Sequence, residues 1–152
     1  MFKKLLNKKL LKNQKGLTLI ELLAVIVILA IIAAIAIPAI GNIISNSKDK
    51  AILSDAAGVL AGAKIAIADG ACGEPSSAGI VTCDKKVLED VFEDKEKLSD
   101  GDQVTYEKSK SEYKITYGKL ANIKNETKFT TKNYAAKNTT ISNKDLNEVM
   151  SK

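Results

Sequence analysis

Histidine, arginine and tryptophan are absent from this 152-residue chain, and cysteine and proline occur twice each. Two thiols without histidine fall short of the four Cys or His ligands of a closed zinc site. The commonest general base beside a nucleophilic hydroxyl or thiol is missing as well. No glycine-rich phosphate loop follows a strand pattern, and no acidic cluster has metal-ligand spacing. Ser99-Asp100-Gly101-Asp102 imitates a calcium loop only at its start, lacking the spaced acids and closing glutamate, and reads as a turn. The inventory supports no catalytic role and no cofactor, so the expected role is that of a building block.

Charge is divided unevenly along the chain. Six of the 23 basic residues, all of which are lysine, fall at Lys3, Lys4, Lys8, Lys9, Lys12 and Lys15, where there is no acid. The remainder, residues 17–152, carries 17 lysines against 18 acids, so the net charge of +5 belongs to the amino-terminal flank. From Leu22 to Ile40 come nineteen residues, apolar throughout except for Pro38. At about 1.5 Å of rise per residue they are long enough to cross a hydrocarbon core about 30 Å thick. The basic flank predicts that the amino end stays inside and the carboxyl end is exported. Glu21 stands alone at the mouth of this run, and a carboxylate there is expensive unless something pairs it.

Lys15-Gly16-Leu17-Thr18-Leu19-Ile20-Glu21-Leu22, followed by the apolar run and Pro38, resembles the class III signal of type IV pilins and pseudopilins. The resemblance covers about the first forty residues. It implies cleavage by a prepilin peptidase and methyltransferase between Gly16 and Leu17, with Leu17 becoming the N-methylated terminus. It also implies that Glu21 pairs with the Leu17 amine of a neighbouring copy and that Pro38 bends the helix. Three departures are Leu17, where many members have Phe, the sixteen-residue leader, longer than the shortest leaders, and Ala30, where many carry a helix-weakening Gly.

The implied function is that of a structural subunit of a type IV pilus, serving adhesion, motility or surface interaction. The alternative is a pseudopilin of a type II secretion or competence DNA-uptake machine. Its partners would be copies of itself and other pilins in a helical filament, together with a membrane assembly platform. The precursor would be a single-pass membrane protein, amino end in and carboxyl end out, and the product an extracellular pilus. Two other readings of the run stand beside these: a secretory signal with Ala34-Ile35-Ala36 as its cleavage site, and an uncleaved anchor. All seven aromatics lie outside residues 17–40, which disfavours a conductive filament.

The expected organisation is a cleaved leader at 1–16, a membrane and filament-core helix at 17–40, an amphipathic helix at 41–69, and a head of loop and sheet at 70–152. The fold class is α+β, a long amino-terminal helix packed on a small antiparallel sheet, pilin-like in outline. Ile52, Ala56, Val59, Leu60, Ala63 and Ile67 share one helix face, and Gly70 stops the helix. Ala30, Ala33, Ala34 and Ala36 are either good helix formers or small residues that let helices approach closely.

Cys72 and Cys83 enclose ten residues, and in an exported domain they read as a loop staple contributing roughly 2–3 kcal/mol. Ile80-Val81-Thr82 reads as a short strand, and residues 85–94 as a short helix carrying Val87, Leu88, Val91 and Phe92. Val104 and Tyr106 alternate with polar residues, as do Tyr113, Ile115 and Tyr117, which predicts a hairpin. A third strand is expected at 119–123 or at 127–131 with Phe129 as anchor, and a last helical turn at Leu146, Val149 and Met150. Asn125-Glu126-Thr127 and Asn138-Thr139-Thr140 match glycosylation acceptors, triplets common by chance in this composition.

Within the mature span, residues 41–102 hold seven lysines and twelve acids, and residues 103–152 ten lysines and five acids. Two readings follow: ordinary solvated surfaces, or an acidic region on one copy that faces a basic region on another. The basic half is also the candidate for weak, salt-sensitive contact with DNA or a surface polymer.

Overall fold

The computed structural model describes residues 18–152, so the leader, Gly16 and Leu17 lie outside the described residues. Its first element, α1 (Leu19–Ala68), is a helix of 50 residues with Pro38 inside it. Proline removes one N–H and leaves the Ala34 carbonyl without its helical donor, yet the helix continues through it. Two compact units divide between Asn42 and Ile43, within this helix. In the first, the apolar side chains from Leu22 to Ile32 are exposed all round.

In the second unit α1 becomes one-sided. Leu53, Ala56, Val59, Leu60, Ala63 and Ala66 are buried, while Ile52 and Ile67 pack at the margin of the same core. The helix ends one residue before the expected Asp69, and Gly70 follows with φ +76°, the left-handed conformation glycine adopts without a Cβ penalty.

The buried stripe lies against a four-stranded antiparallel sheet of order β1 (Ile80–Cys83), β2 (Gln103–Glu107), β3 (Glu112–Thr116) and β4 (Thr140–Ser142). Register places Cys83, Val104, Ile115 and Ile141 in one row across all four strands. That whole row is buried, and the next row, with Thr82, Thr105, Lys114 and Ser142, falls on the opposite face because strand side chains alternate. Between β1 and β2 runs α2 (Lys85–Val91), three residues shorter than expected, with Asp84 accepting the Val87 N–H at its start. After β4 comes α3 (Asn143–Met150), a full short helix rather than one turn, capped by Ser142. A disulfide joins Cys72 to Cys83 and ties the loop after α1 to β1.

The third strand is not where the sequence pattern put it. Residues Gly118–Asn122 form a 3-10 turn, and Phe129 is fully buried from a loop. That stretch leaves the sheet because two of its amides go elsewhere: Lys124 and Asn125 donate to the Asp49 carboxylate on α1 at 3.0 and 2.8 Å. Tyr117 falls just past β3, and its N–H donates to the Thr139 carbonyl at 2.7 Å. Asp102 is likewise structural, accepting from the Ser99 and Gly118 amides at 2.8 and 2.7 Å.

Two positions test this packing. A Cβ on Gly62 would sit 2.7 Å from the Val91 carbonyl oxygen, so α1 and α2 meet only because the position is glycine. Tyr117 is fully buried, its hydroxyl has no hydrogen-bond partner among the described residues, and burial with the nearby Asp55 and Asp102 charges pushes the phenol up to about 12. In urea unfolding of the detergent-solubilised full chain, Gly62→Ala is expected to lower stability by about 1–3 kcal/mol. Tyr117→Phe is expected to leave it within about 1 kcal/mol of the parent or raise it.

Candidate functional site

Thr18 precedes the first helical residue, and Thr18-Leu19-Ile20-Glu21 has the spacing of a capping box. The structure closes that box. Glu21 Oε2 accepts the Thr18 N–H at 2.8 Å and the Thr18 hydroxyl at 2.9 Å. The Glu21 N–H in turn approaches Thr18 Oγ1 at 3.4 Å and donates to the Thr18 carbonyl at 3.0 Å. The helix end is thus held by its own first turn, and Glu21 Oε1 accepts nothing among the described residues.

Beyond this box the side chains are hydrocarbon. Among the described residues one helix is long and apolar enough to cross a membrane, and none of its most apolar window is buried. A carboxylate with one open oxygen at the rim of such a surface has two chemical capacities. It can accept from a donor brought by another molecule, and it raises the cost of sliding the helix deeper into hydrocarbon. Among the described residues no group of three potential metal ligands comes together.

Residues 11–37 match the prokaryotic N-terminal methylation motif. The chain carries the class III signal of type IV pilins and pseudopilins. The match takes in Thr18, Glu21 and the apolar residues through Ile37, and also Gly16 and Leu17, which lie outside the described residues. No curated protein and no solved structure matches the chain. The motif supports a type IV pilin or pseudopilin and suggests a structural subunit. With the apolar helix it fits a membrane-anchored precursor that a prepilin peptidase processes and that assembles with other pilins.

The structure sets the remaining expected site residues apart from the box. Pro38 is seventeen positions further along α1, and the Cys72–Cys83 bridge belongs to the other compact unit. Thr18 is the residue that pattern reading undervalued: Thr-x-x-Glu before an apolar run is itself the signal of a capping box. Replacing Thr18 with Ala is expected to lower amide-exchange protection of Ile20 to Leu22 by about threefold to thirtyfold, the range for losing a cap worth about 0.5–2 kcal/mol. Thr18→Ser keeps the hydroxyl and should stay near the parent, both being measured in micelles by hydrogen exchange.

Proposed function

We propose that this chain is a structural subunit of a type IV pilus, processed between Gly16 and Leu17 and assembled through its apolar helix. The observation that carries the reading is the half-satisfied Glu21 carboxylate at the mouth of an exposed apolar helix, inside a matched methylation motif. In the membrane that helix exchanges little apolarity when it leaves lipid for a bundle of like helices, so hydrophobicity cannot select its register. A charge pair can. Cleavage before Leu17 creates a new amine, and an amine from a neighbouring copy offsets the several kcal/mol that an unpaired carboxylate would cost in the bundle. Thr18 already orients Oε2, leaving Oε1 for that amine. Pro38, with the free Ala34 carbonyl, is the position where α1 yields during packing.

The intact mass and first residue of the native protein test the processing step. The expected mature chain begins at N-methylated Leu17, and a filament or membrane pool that begins at Met1 or beyond Ala36 would remove the reading.

Glu21→Ala tests the pairing. Membrane insertion is expected to persist, since the helix becomes more apolar, while filaments sheared from cells fall by about tenfold or more, as for a lost charge pair of 1.4 kcal/mol or above. Parent-like yields of a filament built from the Ala variant alone would show that Glu21 does not set register.

A further inference from the structure

The unit spanning residues 43–152 carries opposite charge on opposite flanks. The strand order puts β1 and β4 at the two edges, with α2 packed on β1 and α3 on β3 and β4. Along α1 the two flanks also diverge. Gly58 and Gly62 face Phe92 and Val91 beyond β1, whereas Asp49 binds the Lys124 and Asn125 amides and Lys64 donates to Asn143 of α3. With about 3.6 residues per turn Gly62 and Lys64 lie about half a turn apart on α1, with the buried Asp49 and the core stripe between them.

Each flank first neutralises part of its own charge. Beside β1, Lys85 pairs with Asp100 and Glu89, and Lys97 with Asp94 and Asp55. Beside β4, Lys137 pairs with Glu126, and Asp145 is buried among the Ser142 and Thr131 hydroxyls. What remains is an excess of one sign on each side: residues 84–102 carry eight acids and four lysines, and residues 118–152 seven lysines and three acids. Among the described residues Asp90, Glu93 and Glu96 are exposed with no cation in salt-bridge range, beside the equally unpaired Lys86 and Lys95, while Lys124, Lys132 and Lys144 are exposed with no carboxylate in range, beside an unpaired Glu148.

We infer that these flanks are the two halves of one contact between copies of this chain, the Asp90, Glu93 and Glu96 side of one copy docking on the Lys124, Lys132 and Lys144 side of the next. The inference rests on the filament reading and adds a second register device far along the sequence from Glu21. Complementary charge names a second copy as the occupant, since each flank supplies what the other lacks. Placement decides the kind of assembly. Patches on opposite sides give a heterologous, head-to-tail contact that repeats, and unless the rotation closes a ring it builds an open helical array. Residue type decides its character: lysine ammonium groups are compact and strongly hydrated and lack the bidentate fork of arginine, so the contact should be reversible and salt-sensitive.

Charge exchange in the full-length chain, expressed in cells, provides the test. The variants are the acidic triple Asp90→Lys, Glu93→Lys, Glu96→Lys, the basic triple Lys124→Glu, Lys132→Glu, Lys144→Glu, and the sixfold combination. Each triple is expected to cut sheared filament yield by about tenfold, because like charges then face each other. The sixfold variant, and co-expression of the two triples, should restore it to within about twofold of the parent, since the complementary pairs are regained. Filaments of the parent should also dissociate between about 0.1 and 1 M salt, where the Debye length falls from about 10 to 3 Å.

Membrane level and melting temperature of each detergent-solubilised variant separate assembly from folding. Triples that assemble like the parent overturn the inference, as does a sixfold variant that melts like the parent yet stays as low as the triples. A basic triple that assembles normally but no longer retains double-stranded DNA would assign that flank to an outside polyanion and overturn it too. A processed, membrane-inserted parent that yields no filament at all would instead sink the filament reading itself.

Discussion

The seam between α1 and the inner row of the sheet is the constraint on which the head depends. Ala56, Ala63 and Ala66, with the larger Leu53, Val59 and Leu60, share one buried cluster with Val104, Ile115 and Ile141. This is a small core, and small cores leave little margin. Each element outside the seam is therefore fastened separately: β1 by the Cys72–Cys83 bridge, α2 by contact with Gly58 and Gly62, and the loop after β3 by the Asp49 carboxylate. Asp49 is about 1% exposed and is satisfied by two backbone amides from across the fold, so its burial fixes that loop.

Four carboxylates illustrate how position decides what a charge does. Asp49, Asp102 and Asp145 are all buried, and each spends its oxygens on backbone amides or hydroxyls of its own chain. Their burial closes them to a donor from outside. Glu21 is bound by one residue, Thr18, through one oxygen, and stands in an otherwise apolar surface. Local capping thus preserves the helix end without using up the group, a different result from the long-range clamps of the head.

The parts legible in the sequence are those governed by a local period or a local motif. The buried face of α1, the β2–β3 hairpin and the stop at Gly70 each need only neighbours within a few residues. What escaped was set by distant partners. Thr140–Ser142 is too short to show alternation, and it becomes β4 because Thr116 and Ile115 offer a free edge. Residues 119–123 and 127–131 contain strand-like apolar residues, but Asp49 draws their connecting amides away from the sheet. Leu53 joins the core and Ile52 only its margin, a shift of 100° on the helix that the arrangement of the sheet decides.

Charge follows the same division between local and distant causes. Lys97 holds both Asp94 and Asp55 at 2.8 and 2.9 Å, which raises its pKa above the ordinary lysine range, yet these groups are half exposed and such pairs contribute little to stability. Their larger effect is subtractive. The internal pairs leave Asp90, Glu93 and Glu96 without a partner at one edge, in the company of Lys86 and Lys95, and Lys124, Lys132 and Lys144 without one at the other, in the company of Glu148. A chain whose residues 17–152 are nearly neutral, with 17 lysines and 18 acids, still holds an acidic excess in residues 84–102, which include α2 beside β1, and a basic excess in residues 118–152, which include α3 beside β4. Apolar contact along a helix specifies little about rotation or offset, whereas unlike charges at opposite edges penalise most wrong placements, so the selectivity that the apolar half of α1 cannot supply is available from the sheet.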